Sequence, residues 1–231
     1  MAPEIPILPE NATPQEILRI GIAAAAGPIS LACSFSLEDV AIIDIAHTAG
    51  ITMGVFAIDT GRLHEETYEV AEALTERYRL QIGWYFPKYE QVESMVRAKG
   101  MFSFRESLDN RHECCHIRKV EPLGRALKGL NGWVTGMRQE QSVTRTELQA
   151  IGRDEANGGI LKINPLISWS EEQVLGYSRE NNLPVNRLLT RGYRSIGCAP
   201  CTRAVQPGED ARAGRWWWEN PEYKECGLHR R

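Results

Sequence analysis

An α/β fold, with a mostly parallel sheet and flanking helices, is what this sequence predicts, and three observations predict it. Short apolar runs alternate with amphipathic segments from Glu16 onward, the rhythm of repeated βαβ units. The runs are punctuated by turn and cap signals such as Asp59-Thr60-Gly61. A chain of 231 residues, 42% apolar and 25% charged, is long enough to bury one ample core.

Residues Met1 to Pro14 form a Pro-rich lead-in. Ile29 to Phe35 reads as a buried strand. Ser36, with Asp39 three residues on, is a capping-box arrangement opening a helix to about Ala49. Ile51 to Ile58 is a second strand, Glu65 to Tyr78 an amphipathic helix, and Gln81 to Phe86 a third strand stopped by Pro87. Gln91 to Lys99 is a short helix, and Cys114-Cys115 leads into a basic helix over Ile117 to Lys128. Trp133 to Met137 is the fourth strand, Arg138 to Asn157 a polar loop, and Leu161 to Ile167 a further strand. Ser170, with Gln173, caps a helix to Asn181, and periodicity fades after Pro184. The expected organisation is a lead-in over 1–14, an α/β domain over 15–205, and a mobile C-terminal segment over 206–231. Ligands of such sheets sit beyond the carboxyl ends of the strands. Here that means the loops Ser34 to Asp39, Asp59 to Leu63 and Gly136 to Arg145.

The formal net charge of −3 gives no bulk attraction to nucleic acid or a membrane surface, so neither is an expected partner. The longest apolar stretch, Ile20 to Cys33, is short and broken by Gly27-Pro28. Met1 to Glu10 carries two glutamates, three prolines and no basic residue, unlike a secretory signal. The expectation is a cytoplasmic protein, where six cysteines point to metal or catalysis rather than to disulfides. A homo-oligomer is compatible with the sequence.

Cys114-Cys115 and Cys198-Ala199-Pro200-Cys201 are the strongest chemical signal, because four thiolates suit a soft metal or a cluster. Adjacent cysteines diverge, which is awkward for one zinc ion and natural for a multi-iron cluster with separate corners. Spacing alone leaves cluster, zinc and no metal open. Cys33 reads as a small buried hydrophobe. Cys226 stands apart in Glu225-Cys226-Gly227-Leu228-His229, and by position alone it is a surface thiol. Arg212, Arg215, Lys224, His229, Arg230 and Arg231 lie near it in sequence. Positive neighbours favour the nucleophilic thiolate.

Six ordered runs resemble the phosphoadenylyl- and adenylyl-sulfate reductase family: Ser34 to Asp39, Asp59 to Leu63, Cys114 to Leu123, Thr135 to Arg138, Gly214 to Glu219 and Glu225 to His229. The resemblance implies an adenine-nucleotide α-hydrolase-like sheet. It implies a [4Fe–4S] cluster on Cys114, Cys115, Cys198 and Cys201, of the kind that places and polarises the substrate. It implies that Cys226 attacks the sulfate sulfur of adenylyl sulfate, leaving an S-sulfonate that thioredoxin or a similar dithiol releases as sulfite. Matched by position, Lys119, Arg145, Arg212 and Arg215 are candidates for the phosphosulfate, with Arg138 a further one. Ser34, Ser36, Asp59, Thr60 and Gly61 are candidates for the nucleotide, since a helix N-terminus binds phosphate. Ser36 stands where the family usually has Gly.

Three alternatives compete. The same chemistry on the 3′-phosphorylated substrate is the first; the cysteine quartet favours adenylyl sulfate, and Arg62 is the one basic residue of the first two loops. The second is a nucleotide-pyrophosphatase of the same fold, such as a sulfur transferase acting on RNA, whose Ser-Gly-Gly-x-Asp-Ser loop Ser34 to Asp39 does not reproduce. The third is a non-catalytic metal-binding module, which has no use for the Cys226 run.

Overall fold

The protein, seen in a computed structural model that describes residues 4–141 and 148–220, carries a six-stranded sheet. In chain order the elements are α1 (Pro14–Ala25), β1 (Ile29–Cys33), α2 (Leu37–Thr48), β2 (Gly54–Ile58), α3 (Glu65–Tyr78), β3 (Ile82–Tyr85) and α4 (Tyr89–Lys99). There follow α5 (Leu108–Cys115), α6 (Glu121–Leu127), β4 (Gly132–Val134), β5 (Ile151–Asp154), β6 (Ile160–Ile163) and α7 (Glu171–Glu180). The strand order is β3-β2-β1-β4-β6-β5. β1 runs parallel to β2 and β4, β4 runs parallel to β6, and β5 is antiparallel to β6. The order turns about between β1 and β4, the kind of switch point at which open α/β sheets bind ligands.

The described residues divide into two compact units, one within 4–57, 69–83, 127–141 and 148–186, the other within 58–68, 84–126 and 187–220. In the first, α1 starts at a Thr13 cap whose hydroxyl accepts from the Glu16 amide while the Glu16 carboxylate accepts from the Thr13 amide. α2 has no polar face, and Asp39 to Ala46 are all buried. Such a helix must be covered on every side, and β1, α1 and α7 pack against it. Leu31, Ile42, Ile45, Leu74, Leu161, Ile163 and Leu166 are fully buried there. Inside this apolar mass Asp44 is satisfied by two tyrosines. Tyr78 Oη donates to its Oδ1 at 2.7 Å and Tyr177 Oη to its Oδ2 at 2.6 Å.

The second unit holds α4, α5 and α6, a 3₁₀ turn Ser103–Arg105, a π-turn His116–Val120, and the 3₁₀ turns Arg187–Arg191 and Ala199–Cys201. Its apolar centre is Met95, Phe104 and Cys114, packed with Val96, Ile117, Cys201 and Trp218.

Three elements differ from the sequence expectation, of which α1, without a counterpart there, is the first. Residues 138–157 are not wholly loop, because β5 lies among them and pairs Ile151 with Ile163 and Asp154 with Ile160. Of its four residues only Ile151 is buried. An edge strand held by backbone pairing has no apolar alternation to announce it. The adjacent cysteines lead into a helical segment, the π-turn His116–Val120 and α6, and they also end a helix, α5, that the sequence expectation lacks. α5, with the sequence LDNRHECC, carries no apolar stripe, because the side chains it buries are Arg111, Cys114 and Cys115.

The Asp44 network predicts a large local penalty. Asp44→Ala leaves the buried Tyr78 hydroxyl and the half-buried Tyr177 hydroxyl without their acceptor and is expected to lower stability by about 3 kcal/mol, against about 1 kcal/mol for Tyr177→Phe. Urea denaturation of the three proteins measures both; equal losses would contradict this ranking.

Candidate functional site

Cys114, Cys115, Cys198 and Cys201 line one pocket, together with Arg62, Phe104, Arg111, Arg118, Lys119 and Trp216. The space among them, counting its open mouth, is about 350 Å³. Local structure explains why adjacent cysteines share it. Cys114 and Cys115 close α5, and the chain continues through the wider π-turn before α6. A π-turn advances each residue by less than the helical angle, so Cys114, Cys115, Arg118 and Lys119 all face this space. Cys198 and Cys201 bracket a 3₁₀ turn led by Pro200, whose Cys201 amide bonds to the Cys198 carbonyl at 2.9 Å. Among the described residues, no three His, Cys, Asp or Glu side chains are gathered closely enough for a single metal ion.

The turn Asp59-Thr60-Gly61 belongs to this site. Thr60 Oγ1 lies 3.3 Å from Cys198 Sγ, and the Thr60 carbonyl accepts from Arg118 Nη1 at 2.6 Å. The Asp59 carboxylate accepts the Gly61 amide at 2.7 Å and the Tyr68 hydroxyl at 3.0 Å, fixing the turn. The Ala199 amide donates to the Arg62 carbonyl at 2.8 Å. From the C-terminal side, Trp216 is held at φ +41° with its amide on the Cys201 carbonyl. Its ring lies between the Arg111 and Arg215 guanidinium groups, 4.6 and 4.8 Å from the centroid. Arg111 is fully buried, with Nε 2.7 Å from Glu219 Oε1. A Cβ at Gly197 would stand 2.5 Å from the Arg215 guanidinium carbon, so only glycine allows that approach.

The electrostatics are those of buried thiols facing buried cations. Burial pushes the Cys201 thiol up to about 12, aided by Cys198 and opposed by Lys119. Burial also raises Cys114, with Arg118 and Arg62 pulling it back down. Burial and then Arg118 lower the Arg62 guanidinium, while Cys114, Cys201 and Cys198 hold it up. Arg62 Nη1 and Arg118 Nε are buried without a hydrogen-bond partner among the described residues.

In the other unit, the loop after β1 is built round Asp39. Its Oδ2 accepts the Ser34 amide at 2.6 Å and the Ser34 hydroxyl at 2.8 Å. The Ser36 hydroxyl accepts the Asp39 amide at 3.4 Å, so half of the expected capping box forms while the carboxylate serves Ser34 instead. Ser36 itself has φ −70°, open to any residue, so the departure from the family's Gly carries no backbone strain. The positive φ of this loop, +63°, falls on Phe35, whose ring is buried. A Cβ at Gly136 would come 2.6 Å from Asp39 Oδ1, which explains the glycine in the Thr135 to Arg138 run.

Of the candidate residues, the structure thus brings Lys119 and Thr60 to the four cysteines, with Asp59 and Gly61 forming the turn that carries Thr60. Ser34 and Ser36 occupy the separate loop after β1. Arg138 is buried and bonded to Glu38 Oε1 at 2.9 Å, Glu140 Oε2 at 3.0 Å and the Trp169 carbonyl at 3.2 Å. Arg215 bonds to the Ile196 carbonyl at 3.3 Å, and the Arg212 amide bonds to Asp210 at 2.8 Å. Arg145 and Cys226 lie outside the described residues. Sequence reasoning missed Arg111 and Arg118 at this site. Their signal was helical spacing, three residues before and four after Cys114, and it is visible only once α5 and its π-turn are known.

Residues 28–204 match the phosphoadenosine phosphosulfate reductase domain. The chain belongs to this family. Family relatives include the adenosine 5′-phosphosulfate reductase of Burkholderia cepacia, 49% identical over 201 residues that cover 87% of this chain and 80% of that one. The protein of the same name from Allochromatium vinosum is 50% identical over 203 residues, covering 88% and 79%. The crystal structure of phosphoadenylyl-sulfate (PAPS) reductase from Candida auris, in complex with phosphate, is similar at a TM-score of 0.71 and 31% identity, covering 84% and 91%. The family fold, an adenine-nucleotide α-hydrolase-like sheet, is the one described above.

Asp39 gives a pH-dependent test of the loop after β1. Burial raises its carboxyl from 3.8 to about 6 against the opposing Ser34 bonds. A raised folded-state pKa favours the folded protein below the unfolded value, and that advantage is lost as pH rises through the folded value. Asp39→Asn lacks this titration. Its stability relative to the parent is therefore expected to improve between about pH 4 and pH 7. Denaturation midpoints across that range provide the check, and a constant difference would count against it.

Proposed function

We propose that this chain reduces adenylyl sulfate to sulfite and AMP in sulfate assimilation, with a [4Fe–4S] cluster on Cys114, Cys115, Cys198 and Cys201. The observation that carries this reading is the meeting of the four cysteines from two distant segments round one pocket, in a member of a sulfonucleotide reductase family. The donor set fits the cluster: four soft thiol donors line the pocket and no carboxylate does. A bound cluster supplies a local field that places and polarises the substrate. The protein's part is to keep the thiols ionised. Burial opposes this, and Arg62, Arg118 and Lys119 favour it.

Cys226 is the nucleophile in this reading. Its thiolate attacks the sulfate sulfur, an S–S bond forms, the bond from sulfur to the bridging oxygen breaks, and AMP leaves with that electron pair. A dithiol protein, thioredoxin or similar, then attacks Cys226 Sγ. Sulfite leaves with the S–S electron pair, and the partner's second thiol resolves the mixed disulfide. The dithiol supplies two electrons and becomes a disulfide, two protons are released, and Cys226 is restored. Cations must bring a thiolate and an anionic sulfuryl group together. Lys119 is the candidate nearest the cysteines, and Arg145, Arg212 and Arg215 complete the family set, with Arg138 buried in its own ion pairs. Ser34, Ser36, Asp59, Thr60 and Gly61 are the candidates for the nucleotide.

The relatives named for adenosine 5′-phosphosulfate, at 49% and 50% identity, favour the substrate without a 3′-phosphate. So does Arg62, the basic residue of the first two loops, whose Nη2 donates to the Met101 carbonyl at 2.7 Å and whose guanidinium lies over Phe104. A cytoplasmic setting suits the thiol chemistry, and among the described residues no helix is long and apolar enough to cross a membrane.

Anaerobically purified protein is expected to contain about four irons and four sulfides per chain; stoichiometric zinc without sulfide overturns the cofactor. With adenylyl sulfate and no reductant, mass spectrometry should find one sulfonate on Cys226. Cys226→Ser should lose both the adduct and sulfite release while keeping iron and nucleotide binding. The ratio of kcat/KM for the two sulfonucleotides, with thioredoxin as reductant, decides the substrate.

A further inference from the structure

Arg105 has no role in the reaction just described, yet it is the most crowded arginine of its unit. Its guanidinium carbon lies 5.2 Å from the ring centroid of Phe102, 5.6 Å from Phe104, 5.5 Å from Trp217 and 5.4 Å from Trp218. Significant contacts of this kind occur about once per 70–80 residues, so four on one side chain mark a built cage. The side chain is otherwise exposed, and its Nη2 donates to the Pro200 carbonyl at 3.0 Å.

Pro200 lies between Cys198 and Cys201. The other residue between them, Ala199, is held by its amide on the Arg62 carbonyl. Arg105 ends the 3₁₀ turn Ser103–Arg105, and Ser107 follows as the cap of α5, its hydroxyl accepting the Asn110 amide at 3.1 Å. α5 ends on Cys114 and Cys115. One guanidinium therefore touches the turn bearing two of the thiols, is anchored two residues from the helix bearing the other two, and is braced by Trp217 and Trp218. Phe104, which lines the thiol pocket and packs on Cys114, sits within reach of Arg62 and Arg105, 5.1 and 5.6 Å from its centroid.

We propose that Arg105 is a positioning residue that clasps the Cys198–Cys201 turn to the Cys114–Cys115 helix, so that the four thiols are presented as one donor set. Its chemistry is that of a planar cation. The fork reaches the carbonyl while the flat face stacks on the rings; a lysine ammonium, a compact point charge, cannot hold both at once. The inference rests on the reading of the quartet as a ligand set, and its test separates the two.

Three proteins are compared: the parent, Arg105→Lys and Arg105→Ala. In metal-stripped protein, alkylation of each cysteine is timed by peptide mapping. Arg105→Ala should raise the rate at Cys198 and Cys201 by about tenfold, the size expected for losing a charge-assisted bond that restrains the turn. Cys33, buried in β1, should be unchanged, and Arg105→Lys should fall between. In anaerobically purified protein, loss of iron to a chelator should follow the same order, with thermal midpoints of the stripped proteins within a few degrees of one another. Should Arg105→Ala not fold, Arg105→Lys alone carries the comparison. Equal alkylation rates at Cys198 and Cys201 in parent and variants overturn the clasp. A parent without iron or sulfide overturns the cluster reading instead, and the alkylation arm still judges Arg105.

Discussion

Four thiols and four cations line one pocket, and most of what surrounds them answers that constraint. A buried thiol resists ionisation and a buried guanidinium resists keeping its charge, and each makes the other tolerable. Cys114 is raised by burial and lowered by Arg118 and Arg62, while Arg62 is lowered by burial and raised by the thiols. Neither side of this balance is stable alone. The π-turn His116–Val120 follows from the same demand, since it turns two adjacent cysteines and two adjacent cations toward one space.

The backbone round the thiols is held by side chains that carry no chemistry of their own. Thr60 links Cys198 to Arg118, Asp59 and Tyr68 hold the turn that carries Thr60, and the Trp216 amide bonds to the Cys201 carbonyl. Trp216 adopts a positive φ, a conformation that persists only where its surroundings over-determine it. Here the surroundings are two guanidinium groups on the faces of its ring and a buried ion pair, Arg111 with Glu219. Trp216 is thus a packing residue, while Trp217 keeps an exposed face.

The sheet-bearing unit uses its buried carboxylates differently. Asp44 takes two tyrosine hydroxyls and ties α2 to α3 and α7. Asp39 takes the amide and hydroxyl of Ser34 and shapes the loop after β1. Glu38 takes Arg138. None is left with a bare charge in the interior, and each fixes a segment that the apolar core alone would leave loose. The last of these pairs occupies Arg138, a pairing its position in the Thr135 to Arg138 run did not reveal.

Much of this was legible in the residues. Alternating apolar runs and caps at Ser36 and Ser170 announced the parallel sheet, because burial on both faces and helix capping are local demands that local sequence must meet. The four cysteines stood out in the sequence as an adjacent pair and a Cys-x-x-Cys pair. What the sequence could not announce were features whose cause lies elsewhere in the chain. β5 is held by backbone pairing to β6, so its side chains keep no pattern. α5 buries an arginine and two cysteines, so it has no apolar stripe. Nothing in the run around Thr60 announces that Cys198, 138 residues away, lies beside it. By itself the sequence determined the fold class, because this depends on periodicity and residue type. Only the tertiary structure decided which cations face the thiols and which are already paired, because charge pairing depends on distances between segments that the chain brings together only on folding.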